Sequence, residues 1–131
     1  MRGRNDVKSV EIARMGIFTY TITLIAASGE RETMEALVDT GATFTSVPGP
    51  VLERLGVKAE GVVRLQLANG QIEERSIGSV IAELNETQRT VPCVFGEPGE
   101  SSLIGAVTLE IFLLGVDPVE RKLVPVIGYR L

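Results

Sequence analysis

From Phe18 the chain alternates. Phe18, Tyr20, Ile22 and Leu24 interleave with Thr19, Thr21 and Thr23, a period of two over β-favouring residues that predicts a strand with one buried face. Ser28-Gly29-Glu30 predicts a turn and Thr33 to Val38 a returning strand, together a hairpin. Thr43 to Val47 predicts a short strand stopped by Pro48-Gly49-Pro50. Val51, Leu52 and Leu55 recur at helical spacing, with Pro50 suited to a first turn and Gly56 closing a helix of about two turns. Val63, Leu65 and Leu67 alternate with Arg64 and Gln66, and Asn69-Gly70 is the favoured dipeptide of a type I′ hairpin turn. Gln71 to Leu84 predicts the return strand, broken near Gly78, and Arg89 to Phe95 another strand. After a Gly96–Ser102 loop, Leu103-Ile104-Gly105 leads into a helix predicted over Ala106 to Leu114, with Gly115 at its C′ position. Asp117-Pro118 predicts a turn and Lys122 to Ile127 a last strand, which Pro125 confines to an edge or interface. The pattern predicts a mostly β, single-domain protein with one or two short helices.

A length of 131 residues suits one domain, and 44% apolar content supplies a core. Seventeen acidic against 13 basic side chains give a formal charge of −4, the wrong sign for a phosphate-neutralising face, so no nucleic-acid partner is expected. Arg2, Arg4, Lys8 and Arg14 bias the start of the chain; residues 1–14 are read as a solvated extension and 15–131 as the domain. Val7 to Met15 contains Lys8, Glu11 and Arg14, which argues against a secretory signal. The most apolar window, Leu103 to Val116, is broken by Gly105, Thr108, Glu110 and Gly115, short of the ~20 apolar residues that a membrane span needs. A soluble, cytoplasmic protein without a membrane partner is the expectation. The single cysteine, Cys93, shares strand parity with Val91 and Phe95 and reads as a small core residue.

Histidine is absent, and this changes the picture most. It removes Ser-His-Asp and Cys-His nucleophiles, imidazole bases and His-ligated metals. Chemistry must come from carboxylates, Lys, Arg, hydroxyls or backbone amides. The aspartates are Asp6, Asp39 and Asp117. Asp6 lies in the N-terminal segment, and Asp117 precedes Pro118 in ordinary turn chemistry. Asp39 directly follows the apolar run Ala36-Leu37-Val38 and precedes Thr40-Gly41. A carboxylate at the end of a buried strand must be paired, hydrogen-bonded or protonated, which makes it a functional candidate. Asp-Thr-Gly alone is a weak motif whose plain alternative is an Asx-type turn. Its context sharpens it: an apolar strand before, Ala42-Thr43-Phe44-Thr45 after, a hairpin with an Asn-Gly tip, then Leu103-Ile104-Gly105 opening a helix.

In that order these segments resemble the retropepsin-like aspartic proteases, over roughly Gly16 to Val126. Leu114-Gly115-Val116-Asp117-Pro118-Val119 and Lys122-Leu123-Val124-Pro125 look most like the small prokaryotic members. The resemblance implies a closed β-barrel of the acid protease fold and a homodimeric aspartic endopeptidase acting on peptides or proteins without metal or cofactor. Catalysis would rest on Asp39, Thr40 and Gly41. With one Asp-Thr-Gly per chain, the second carboxylate would come from a second copy. Thr40 would brace the two loops across the dimer axis, and Gly41 would allow close backbone approach. Ala42 has no hydroxyl to donate to Asp39, so activity should reach toward neutral pH. Substrate would meet Ala42, a flap tip formed by Leu67, Ala68, Asn69, Gly70 and Gln71, and the supporting segment Leu103, Ile104 and Gly105. An Arg follows this glycine in many retroviral members; here Ala106 stands, and the salt bridge that Arg makes is missing. Two rival readings remain: the same dimeric fold as a catalytically silent peptide- or protein-binding module, and a small β-barrel interaction domain with a plain turn at Asp39.

Overall fold

The computed structural model describes residues 18–130; the expected extension over 1–14, and the domain boundary at 15, lie outside them. The alternating segment forms β1 (Phe18–Ile25), which turns through Gly29 at φ +94° into β2 (Arg31–Val38), paired antiparallel from Phe18↔Val38 to Ile25↔Arg31. β3 (Thr45–Pro48) runs into helix α1 (Gly49–Arg54). Pro50 sits in the first turn of α1, and Gly56 at φ +78° ends it. There Gly56 N–H donates to the Glu53 carbonyl and Val57 N–H to that of Leu52, a Schellman closure. β4 (Gly61–Gln66), β5 (Ile72–Leu84), β6 (Thr87–Gly96), β7 (Leu103–Ile104), α2 (Ala106–Ile111), β8 (Leu114–Asp117) and β9 (Lys122–Pro125) complete the order.

Seven strands form one sheet in the order β1-β2-β7-β3-β6-β5-β4, with β8 and β9 a separate antiparallel pair. β2 and β3, consecutive in the chain, do not pair. β7 lies between them, parallel to β2 and antiparallel to β3. The loop carrying Asp39 therefore crosses the end of β7. Inside the curl of the sheet Ile22, Leu24, Val38, Leu52, Leu84, Val91 and Ile104 are almost fully buried, each such side chain contributing about 1.5–3 kcal/mol. Cys93 is among them as expected, and burial pushes its thiol up to about 12.

The expected closed β-barrel is not formed. The sheet is ring-like: β1 meets β5 at only three residue pairs, Thr23↔Glu83 to Ile25↔Ile81. A closed barrel needs each strand paired on both sides with a consistent stagger. Here β5 ends at Leu84 while β1 runs on past it, and a concavity of about 390 Å³ opens between Thr19–Thr23 and Glu83–Asn85. The first half of β5 leaves the ring to pair with β4, from Ile77↔Gly61 to Ile72↔Gln66. The break expected near Gly78 is absent: β5 runs unbroken from Ile72 to Leu84, and Gly78 is where its pairing passes from β4 to the ring. A Cβ there would lie 2.5 Å from the Lys58 carbonyl oxygen, so only glycine lets that backbone pass.

Four local expectations also change. The type I′ turn is at Asn85-Glu86, both with positive φ (51° and 66°), joining Leu84 to its partner Thr87. At Asn69-Gly70 only Gly70 has positive φ, and Leu67 N–H closes on the Gln71 carbonyl around a wider tip. Helix α2 stops at Ile111 rather than Leu114, because Leu113 takes the left-handed C′ position (φ 54°) expected for Gly115. Gly115 instead lies in β8, where Val126 would touch an added Cβ at 2.9 Å. The last strand ends at Pro125, two residues early. The β3 strand begins at Thr45, since Thr43 and Phe44 remain in the Asp39 loop.

Glu86 carries the left-handed conformation without the freedom of glycine. Glu86→Gly is therefore expected to stabilise the protein by about 0.5–1 kcal/mol, read as a higher urea midpoint with unchanged slope; an equal or lower midpoint contradicts the turn assignment.

Candidate active site

Val38 ends β2 fully buried, and the next residue leaves the sheet. Asp39 N–H still donates to the Ile104 carbonyl at 3.0 Å, extending the β2–β7 ladder one step. The Asp39 carboxylate is half-buried, and its Oδ1 accepts the Gly41 N–H at 2.9 Å. Its carbonyl accepts the Ala42 N–H at 3.1 Å. The loop is thus an Asx-type turn closed on Asp39 itself. A Cβ on Gly41 would crowd Oδ1 at 3.3 Å. Thr40 and Gly41 are exposed and Ala42 half-buried.

A second element clamps the same loop from behind. The first amides of a helix have no partner within the helix. In α2 two of them take loop carbonyls, Ala106 N–H to Ala42 at 2.8 Å and Val107 N–H to Thr43 at 2.9 Å. Gly105 passes so close to Phe44 that an added Cβ would lie 2.5 Å from the Phe44 carbonyl carbon and oxygen. Beneath it the buried Thr45 Oγ1 accepts the Gly105 N–H at 3.2 Å and shares a 2.6 Å hydrogen bond with Thr108 Oγ1. Asp39, Ala42, Ile104 and Gly105 are therefore brought together by backbone hydrogen bonds. Leu103 is half-buried; Ile104 and Gly105 are fully buried, as supports.

The hairpin tip stands apart. Hydrogen bonds within the tip shape it: Leu67 N–H to the Gln71 carbonyl at 2.7 Å, Gly70 N–H to the Leu67 carbonyl at 2.9 Å, and Gln71 N–H to Asn69 Oδ1 at 2.9 Å. Ala68 to Gln71 are exposed and Leu67 half-buried. The concavity beside β1 does not include Asp39, so it is not the site of this chemistry. Among the described residues, no three acidic or cysteine side chains cluster in a way that could hold a metal ion. Among those residues, too, no helix is long and apolar enough to cross a membrane.

The gag-polyprotein putative aspartyl protease family matches residues 25–119, well over half of the chain and inclusive of the Asp39 loop, the β4–β5 hairpin and Gly105. The chain belongs to this family. No curated protein matches it. The fold is similar to the solution structure of the simian foamy virus (mac) protease, at TM-score 0.52 and 14% identity, over 71% of this chain and 92% of that one. It is also similar to part of the foamy viral protease-reverse transcriptase solved with an RNA/DNA hybrid, at TM-score 0.52 and 12% identity, over 70% of this chain but only 12% of that one. Its retropepsin-like fold is thereby shown, with an aspartic-protease type of site as the function consistent with it.

Four residues of this gag-type protease domain escaped the sequence reading. Thr45 and Thr108 form the buried hydroxyl pair; the signal was a lone Thr within the otherwise apolar face of α2, which must find a partner. Arg75, on β5, donates two parallel hydrogen bonds to the Glu100 carboxylate at 2.9 and 3.1 Å and two more to Glu73 Oε1. The Arg75 guanidinium, with a smaller contribution from the Glu97 backbone amide, holds the Glu100 carboxyl below its ordinary value of 4.5. Nothing in their spacing marks Arg75 and Glu100 as neighbours.

Two outcomes follow. Gly105→Ala forces backbone apart and should cost on the order of 2–4 kcal/mol, and Thr45→Val about 1–3 kcal/mol by stranding the Gly105 amide, both read by urea denaturation. Near-neutral values for both would contradict the clamp. Because folding lowers the Glu100 carboxyl, its contribution is complete above the ordinary value of 4.5 and is lost as pH falls through the lowered one. Glu100→Gln should therefore flatten the stability profile across that acid window and leave its shape at neutral pH unchanged.

Proposed function

We propose that this protein is an aspartic endopeptidase that works as a homodimer. The observation that carries the reading is the Asp39 carboxylate, half-exposed at the end of a buried strand and held by the Gly41 amide on a loop fixed from both sides. Family membership supports it. One chain supplies one such loop, so two copies would bring two Asp39 carboxylates together. Carboxylates about 3 Å apart hold one proton between them. The ionised one takes a proton from a water placed between the pair, the protonated one polarises the scissile carbonyl, and the water attacks. Proton return to the leaving amine completes the cleavage. Neither metal nor covalent intermediate is required by this scheme.

In the same reading Thr40, exposed beside Asp39, braces the two loops across the dimer axis. Gly41 and Ala42 line the floor. Leu103 walls the cleft while Ile104 and Gly105 hold the loop from behind. The tip Leu67 to Gln71 closes over a peptide or protein substrate and excludes water. Val119, Val126, Ile127 and Tyr129 are exposed in the single chain at 84, 45, 85 and 88%, an apolar surface that a second copy would cover. The likeness of the β8–β9 region to small prokaryotic members, a soluble cytoplasmic location and activity reaching toward neutral pH belong to the same proposal. So does independence from nucleic acid.

The test is cleavage of a mixed peptide library. Asp39→Asn should abolish it, and an equal amount of that variant added to the active protein should lower the rate to about half, through hybrid dimers with a single carboxylate. Cleavage that survives the substitution sinks the enzyme reading. A complete absence of cleavage, with peptide binding intact, favours the silent binding module.

A further inference from the structure

The β4–β5 hairpin leaves the ring at Gly78, and among the described residues β5 is the only strand that pairs with β4. A two-stranded extension of this kind is only marginally stable unless something holds it. Arg75 and its cross-strand partner Val63 share one face with Glu73 and Leu65. All four are half-buried, whereas Val62 and Ile72 on the opposite face are 63 and 54% exposed. The hairpin therefore turns the Arg75 face toward the body of the protein.

On that face Arg75 is only 10% exposed, and its guanidinium meets Glu100 in a two-atom fork. Such a pair fixes orientation as well as distance. Glu100 is in turn fixed within its own loop: its Oε1 also accepts the Glu97 N–H at 2.9 Å, and Glu97 accepts the Glu100 N–H on its carbonyl at 3.1 Å. Gly96 packs against the same carboxylate, where an added Cβ would lie 3.1 Å from Oε1. Three residues later the loop becomes β7, whose Ile104 carbonyl accepts the Asp39 amide; on the way the Ser102 carbonyl accepts the Leu37 N–H at 2.9 Å. A short stretch of chain from Glu100 to Ile104, and one hydrogen bond from the Asp39 amide, thus join the far end of the fork to the Asp39 loop.

We infer that Arg75 is a positioning residue: through its fork to Glu100 it sets the height of the β4–β5 hairpin over the Asp39 loop and makes the hairpin and the 96–102 loop move as one body. Glu73 lies on the same strand as Arg75 and orients the guanidinium without bridging to the loop. The inference rests on the reading of this hairpin as the cover of the Asp39 site, and it concerns residues that touch neither substrate nor the reacting atoms.

The experiment measures amide hydrogen exchange of full-length Arg75→Met, Glu100→Gln and Glu73→Gln, alongside KM and kcat on a cleaved peptide. Arg75→Met and Glu100→Gln should each speed exchange of the hydrogen-bonded hairpin amides by roughly tenfold, well beyond any change in the β1–β2 amides, and raise KM several-fold with kcat within about twofold. Glu73→Gln should change the hairpin less than either. Unchanged hairpin exchange in Glu100→Gln overturns the inference, as does acceleration spread evenly over β1–β2, which would mark a general loss of stability. If Arg75→Met fails to fold, Glu100→Gln carries the test alone. If no peptide is cleaved, the exchange pattern still decides the brace while the proteolytic reading fails separately.

Discussion

Backbone hydrogen bonds from the β7–α2 junction hold the Asp39 loop, and the rest of the fold serves to keep that junction in place. The loop has little side-chain anchorage of its own. Its amides and carbonyls find partners in Ile104, Ala106 and Val107, and Gly105 lets the two backbones come within a distance that any side chain would prevent. Buried peptide groups must be paired, so once β2 ends at Val38 the chain has to find these partners for the loop to keep its place against β7. The Thr45–Thr108 pair below makes the clamp specific, since each hydroxyl would be costly to leave alone.

The same constraint explains the topology. β7 is only two residues long, yet it parts two strands that follow each other in sequence. It earns a central position through Leu103 and Ile104, which complete both neighbouring ladders. The ring stays incomplete at β1–β5 because β5 serves two structures: its second half closes toward β1 and β6, and its first half carries β4 outward. Full pairing of β1 with β5 would need strand length that the Asn85-Glu86 turn removes. What remains is a clamp around Asp39 and an extended hairpin tied to the body in part by the Arg75–Glu100 ion pair.

Much of this was legible in the sequence. Alternation placed β1, β2, β4 and β6 closely, the apolar-to-Asp transition marked the loop, and Leu103-Ile104-Gly105 stood out as its companion. The misreadings share a cause: local pattern carries no information about non-local pairing. Asn69-Gly70 has the better turn chemistry, but strand register places the two-residue turn at Asn85-Glu86, where Glu accepts a conformation it disfavours. Leu113 does the same in place of Gly115, because its carbonyl is taken by the Val126 amide as β9 returns. Barrel closure depends on how far β1 and β5 overlap, which no single segment records. Arg75 and Glu100 lie 25 positions apart and read as ordinary surface charges, although the fold buries one and locks the other.

In the proposed dimer this loop presents Asp39 to a second copy of itself. The most direct measurement is an experimental structure of the assembled protein at high concentration, with the separation of the two Asp39 carboxylates as its readout. The expected result is a two-fold dimer with those carboxylates about 3 Å apart across the axis. A monomer, or a dimer in which the two Asp39 side chains face away from each other, would contradict it.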